Sequence, residues 1–78
     1  MLLFGRLSDL AHWRERDFEP APATLFALKA MIAAEDGVLG AALDGPGIQA
    51  AVDRALVRGD VRLSQTAEVA FLPPMSGG

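Results

Sequence analysis

The residues with the clearest chemical potential stand at the end of the sequence, where Pro73-Pro74 is followed by Met75, Ser76 and Gly77-Gly78. A terminal glycine presents an α-carboxylate with no side chain beside it, and paired glycines let another protein close tightly around the backbone. Pro-Pro favours an extended, left-handed conformation. Six extended residues span roughly 20 Å. The pattern predicts a narrow tether with a reactive carboxylate at its tip; the alternative is an ordinary frayed chain end.

The rest of the chain lacks the usual catalytic constellations. It has no cysteine and one histidine, which excludes disulfides, a thiol nucleophile and a multi-histidine metal site. We expect His12 to be a surface or turn residue, distant from any serine that would need a base. Glu35 and Asp36 fall at the end of a predicted helix and are interpreted as a solvated terminus. The sequence predicts no bound metal or cofactor.

Length and composition indicate one small domain. The chain has 78 residues, of which 51% are hydrophobic, so it is expected to fold around a modest core. No apolar run approaches the roughly 20 residues of a membrane helix, and the start lacks the basic lead-in of a signal peptide. The cytoplasm is therefore the expected compartment. A net charge of −3 with scattered arginines argues against nucleic acid as a partner.

One helix is the most secure element. Thr24 is a good N-cap, and Leu25, Leu28 and Ile32 follow at helical spacing on one face. Gly37 stands where a C-cap glycine is expected, and residues 39–43 add a further helical turn. The run Asp44-Gly45-Pro46-Gly47 predicts a tight turn after it.

Strands are predicted on both sides of this helix. An apolar first strand covers residues 1–7, and a polar edge strand covers 14–19 before the linker 20–22. After the helix, strands are expected at 48–52, 55–57 and 68–72. In the last strand, alternation turns Val69 and Phe71 to one face and Ala70 and Leu72 to the other. The order predicts an α+β fold, with a mixed sheet packed on one main helix.

The segment from Glu68 to Gly78 resembles the C-terminus of the molybdopterin synthase small subunit, a ubiquitin-like sulfur carrier of molybdenum cofactor biosynthesis. Residues 3–10 resemble that family's first strand and turn, 24–28 its helix start and 51–57 its middle strand segment. The chain departs from the family at Asp53, where asparagine is common, and at Thr66-Ala67, where Gly-Asp is common. These departures bear on two turns and leave the tail unchanged.

The resemblance implies the β-grasp fold of ubiquitin, with residues 1–72 as the domain and 73–78 as a flexible diglycine tail. It also implies that an adenylyltransferase of the ubiquitin-activating type consumes ATP to adenylate Gly78. A sulfur donor protein then converts the adenylate to a thiocarboxylate. The tail, including Pro73, Pro74, Met75, Ser76 and Gly77, threads into the large synthase subunit and donates sulfur to cyclic pyranopterin monophosphate, forming the molybdopterin dithiolene.

The resemblance further implies that the chain is a non-catalytic subunit of a heterotetrameric transferase and not an enzyme alone. Phe4, Leu56 and Leu72 match apolar positions that contact partners in the family. If Leu3 and Phe71 face the helix, alternation places Phe4 and Leu72 on the other side of the sheet. We therefore expect Phe4, Leu56 and Leu72 to form an exposed patch beside the tail root, shared by both partners.

Three alternatives use the same residues differently. A thiazole-pathway sulfur carrier shares the fold and the diglycine, but its tail typically lacks the Phe-Leu-Pro-Pro segment. A ubiquitin-like protein modifier would join the same tail to lysines of target proteins; here Lys29 is the only lysine that could extend a chain of modifiers. A plain interaction domain would tolerate the loss of Gly78.

Overall fold

A computed structural model describes residues 1–74. Met75, Ser76, Gly77 and Gly78, predicted to form the flexible end of the tail, lie outside the described residues. The described chain contains three helices and four strands, in the order β1 (Leu2–Leu3), α1 (Arg6–Ala11), α2 (Leu25–Glu35), α3 (Gly37–Leu43), β2 (Gln49–Val52), β3 (Ala55–Val57) and β4 (Val69–Leu72). None of these helices has the length and hydropathy needed to span a bilayer.

The four strands form one mixed sheet in the order β1-β4-β2-β3. β4 runs parallel to β1, with Leu3 opposite Phe71, and antiparallel to β2, with Gln49 opposite Leu72. β2 and β3 form an antiparallel hairpin. Helix α2 lies on one face of this sheet, and the predicted α+β, ubiquitin-like β-grasp fold is confirmed.

Helix α2 forms as its sequence predicts. The Thr24 hydroxyl oxygen accepts a hydrogen bond from the Ala27 N–H at 3.1 Å, which is the geometry of an N-cap. Leu25, Leu28 and Ile32 are almost fully buried and pack in one cluster with side chains of β1 and β4. The hydrophobic core cluster on the helix side of the sheet consists of nine buried residues: Leu3, Leu7, Leu25, Leu28, Ile32, Leu39, Leu43, Val69 and Phe71.

The end of α2 differs from the prediction. Gly37 is the first residue of α3 and not a C-cap glycine. Asp36 has an extended backbone and serves both helices, because its N–H donates to the Ile32 carbonyl and its carboxylate accepts from the Leu39 N–H at 3.0 Å. An aspartate before a helical stretch is itself an N-cap pattern. The two helices then pack so closely that a Cβ on Gly40 would lie 2.6 Å from Ala33.

The predicted strand over residues 1–7 is wrong beyond Leu3. Gly5 takes a positive φ of 57°, which ends the strand, and α1 begins at the next residue. Leu7 is buried on the inner side of α1, while Leu10 stays exposed. Because β1 has only two residues, it offers few backbone N–H and C=O groups for pairing with a neighbouring strand.

The short length of β1 explains a second difference between the prediction and the structure. Residues 14–19 were predicted to form a polar edge strand, but they make only an isolated antiparallel bridge, between Leu2 and Glu15. The Leu3 N–H donates to the Arg14 carbonyl, and the Arg16 N–H donates to the Met1 carbonyl. Charged side chains also have low strand propensity. The segment is held instead by side chains, since Arg16 donates to Glu35 at 2.7 Å and lies over the ring of Phe18.

Both turns that depart from the resembled family form normally. Asp53 and Arg54 occupy the β2–β3 turn with positive φ angles of 51° and 71°. The Asp53 carboxylate accepts the Glu68 N–H at 2.9 Å, which ties this turn to the residue before β4. Ahead of β4, the Ala67 N–H donates to the Ser64 carbonyl at 3.1 Å and closes the turn at Thr66.

Candidate functional site

The tail begins at the end of an interior strand. β4 is flanked by β1 on one side and β2 on the other, so its last residue, Leu72, leaves the sheet between two neighbours. The ladder stops there because Pro73 and Pro74 have no N–H to donate. Pro73 is half-buried and Pro74 is exposed. Phe71, only 1% exposed, anchors the strand in the core directly before this exit.

The face of the sheet away from the helices is where the apolar patch of Phe4, Leu56 and Leu72 is predicted. Ala50, Val52 and Val57 pack against the core, so alternation turns Ala51 and Leu56 to the outer face. Leu56 lies opposite Ala51, and Ala51 lies opposite Ala70 of β4, so the small side chain of Ala51 lies between Leu56 and the tail strand.

The exposure of the three predicted contact residues is uneven. Leu56 is 62% exposed and Phe4 is 44% exposed, as expected for a free surface. Leu72 is half-buried and therefore less exposed than the predicted patch requires, although alternation places it on the same outer face as Ala70. The role of Phe4, Leu56 and Leu72 in partner binding stays a prediction.

A groove of about 600 Å³ beside β3 was not anticipated from the sequence. It lies between the first turn of α2 and the β3 edge, and Phe26, Lys29, Leu56 and Arg58 are among its lining residues. Phe26 is 53% exposed, although large aromatic side chains are usually covered. Phe26 and Lys29 are three residues apart and off the buried face of α2, and that spacing was the available signal.

The polar residues that the sequence singled out have structural partners. His12 is exposed and caps the end of α1 with a positive φ of 66°, which confirms its interpretation as a turn residue. The expected distance between His12 and the serines is wrong for Ser8, because the His12 backbone N–H donates to the Ser8 carbonyl at 2.9 Å. The Ser8 hydroxyl itself donates to the Gly5 carbonyl at 2.8 Å. The hydrogen bond to Glu35 raises the pKa of the Arg16 guanidinium above its ordinary value, so Arg16 stays charged throughout the physiological range. Glu35 and Asp36 thus belong to an ion pair and a helix cap.

Within residues 1–74, no group of three or more histidine, cysteine, aspartate or glutamate side chains could hold a metal ion together. The same part of the chain buries no polar or charged side chain.

Comparison with known proteins identifies the family of the chain. No curated protein matches the chain. A family model does match, over residues 1–78, and it is that of the ThiS family. Such carriers work with adenylyltransferases and other partner enzymes. With a β-grasp body and a match over its whole length, the chain belongs to the ThiS family of ubiquitin-like sulfur carriers.

Proposed function

We propose that this carrier is the small subunit of molybdopterin synthase and that Gly78 carries its sulfur. The family includes carriers of the molybdopterin and the thiazole pathways, so the choice depends on a finer feature. That feature is the segment Phe71-Leu72-Pro73-Pro74, because the tails of thiazole-pathway carriers typically lack it. The buried Phe71 and the diproline exit are the observations that support the choice.

The chemistry proceeds at the Gly78 carboxylate. A carboxylate is a poor acyl donor until a good leaving group is attached. Its oxygen attacks the α-phosphate of ATP on the activating enzyme, which forms the acyl-adenylate and releases pyrophosphate. Hydrosulfide supplied by the sulfur donor then attacks the acyl carbon and displaces AMP, which leaves a thiocarboxylate. The large synthase subunit transfers that sulfur to cyclic pyranopterin monophosphate, a water oxygen restores the carboxylate, and two deliveries complete the dithiolene.

The sequence of the tail suits these steps. Gly77 and Gly78 lack side chains, so the tip can pass through a closed channel to the reacting atoms. The chain contains no cysteine that could attack the activated carboxylate. The exposed Phe4 and Leu56 are the proposed contacts with the activating enzyme and with the large subunit, so the two partners compete for one surface.

A reconstitution separates the pathways. The thiocarboxylated chain is mixed with the large molybdopterin synthase subunit and cyclic pyranopterin monophosphate, and in parallel with the thiazole synthase and its substrates. We expect molybdopterin in the first mixture and no thiazole in the second. Thiazole formation without molybdopterin would reassign the pathway, and lysine-linked conjugates on other proteins would favour the modifier alternative.

Two variants test the terminus itself. Deleting Gly78, or adding one residue after it, is expected to abolish sulfur transfer. The step needs a free glycine carboxylate at a fixed tail length from the body. The body lies outside the change, so thermal unfolding should match that of the unaltered chain. Normal molybdopterin formation by the extended variant, with the extension still attached by mass, would contradict the assignment of Gly78.

A further inference from the structure

Two glycines from separate loops meet the tail where it leaves the sheet. Gly5 follows β1, which runs parallel to β4, and Gly47 precedes β2, which runs antiparallel to β4. Both topologies bring a loop to the same end of the sheet, one on each side of the β4 exit. Gly5 and Gly47 have positive φ angles of 57° and 81°, which favour glycine.

Each proline of the tail root lies against one of these glycines. A Cβ on Gly5 would lie 3.1 Å from the Cγ of Pro73, and a Cβ on Gly47 would lie 2.8 Å from the Cβ of Pro74. The second distance is shorter than packed carbon atoms tolerate. By contrast, Gly59 also has a positive φ, of 70°, but a Cβ there would meet nothing within 4 Å. A positive φ alone therefore does not explain the close contact with the tail, which is made at Gly5 and Gly47 but not at Gly59.

The diproline is stiff enough to transmit that contact. Each proline ring fixes its own φ, and the residue before each proline is confined to extended backbone. With Leu72 held in the sheet, Pro73 and Pro74 form a short rigid segment whose direction depends on what lies beside it.

We propose that Gly5 and Gly47 are positioning residues that set the direction in which the tail leaves the body. This inference rests on the proposed function, in which the tail must reach a partner's active site. A fixed exit direction lowers the entropy that the tail loses when it binds there. The atoms nearest to a Cβ added at either glycine all belong to the tail root, so a side chain there acts on delivery of the Gly78 carboxylate and not on docking of the body.

The test compares Gly47→Ala with the matched control Gly59→Ala in adenylation of the chain by its activating enzyme. Both variants place an L side chain at a positive φ, so they carry a similar backbone cost. Only Gly47→Ala displaces Pro74. We expect its kcat to fall roughly tenfold to a hundredfold below that of Gly59→Ala, since small misplacements of reacting groups have effects of that size. The KM for the chain and the melting temperature should match those of the control.

A double-mutant cycle identifies the contact as the cause. Pro74→Gly removes the atom that the new methyl group meets, so Gly47→Ala should lower kcat no further in a Pro74→Gly background. If Gly47→Ala does not fold, Pro74→Gly alone is decisive, because it loosens the root from the other side and should lower kcat without a change in KM. Equal kcat values for Gly47→Ala and Gly59→Ala, or an unaltered kcat for Pro74→Gly, would overturn the inference.

A structural measurement keeps this inference separate from the proposed function. The unaltered chain should show nuclear Overhauser effects between the Gly47 α-protons and the Pro74 ring protons. Absence of adenylation in the unaltered chain would contradict the proposed function, and the Overhauser effects would then decide the positioning claim alone. Their absence would overturn it.

Discussion

The two faces of the sheet use the same strands for different purposes. On the helix side, Phe71 is 1% exposed and Val69 is 3% exposed, and both pack into one cluster with α2. On the outer face, Leu56 is 62% exposed and the small side chain of Ala51 lies between it and β4. The inner face can account for the stability of the domain, which leaves the apolar residues of the outer face free to recognise partners.

Phe71→Ala should be the most damaging change. It removes the largest fully buried side chain of the described residues, and such truncations cost about 3–5 kcal/mol. Leu56→Ala is the matched change on the outer face and should stay within about 0.5 kcal/mol of the unaltered chain. Urea unfolding measures both. Similar losses for the two variants would mean that the faces do not differ as described.

Gly40→Ala should have the next largest effect, because its methyl group would overlap Ala33 where α2 and α3 pack. Overpacking of this kind costs about 1–3 kcal/mol. Gly37→Ala lies in the same helix with nothing within 4 Å and should raise the stability by about 0.5–1 kcal/mol. Opposite shifts in the urea midpoint are expected, and shifts of the same sign would contradict the close helix contact.

Leu56→Asp should have the smallest effect on unfolding, within about 1 kcal/mol, since the side chain is already 62% exposed and the main cost is the low strand propensity of aspartate. Its effect should appear in binding, where loss of an interface anchor weakens affinity by about tenfold or more. Val38→Asp is the control, because Val38 is 66% exposed but belongs to α3. Titration with the activating enzyme and the large subunit measures both variants. Unchanged binding by Leu56→Asp, or a large loss of its stability, would remove Leu56 from the proposed surface.

The elements that the sequence predicts well are those fixed by local pattern. Thr24 and the spacing of Leu25, Leu28 and Ile32 are enough to define α2, and alternation from Val69 to Leu72 defines β4 with the correct inner face. The failures occur where backbone conformation overrides apolar content. In the apolar run 1–7, the positive φ of Gly5 limits the strand to two residues and is followed by helix α1. The local sequence pattern did not predict this backbone conformation.

The candidate site divides along the same line. The residue types of the tail and its family resemblance lead to a sulfur carrier, and the family match confirms that level of description. The contacts of Pro73 with Gly5 and of Pro74 with Gly47 join residues far apart in the sequence, so they become visible only once the sheet order is known. The partial burial of Leu72 likewise depends on its neighbours and not on strand alternation.

The central claim is that Gly78 of this carrier is loaded with sulfur after adenylation. The direct measurement is the intact mass of the chain after incubation with a cognate activating enzyme, ATP and sulfide, followed by fragmentation to locate the change. The account predicts a mass increase equal to the replacement of one oxygen by one sulfur, confined to Gly78 and dependent on ATP. An unchanged mass with an active enzyme, or a sulfur located elsewhere in the chain, would contradict it.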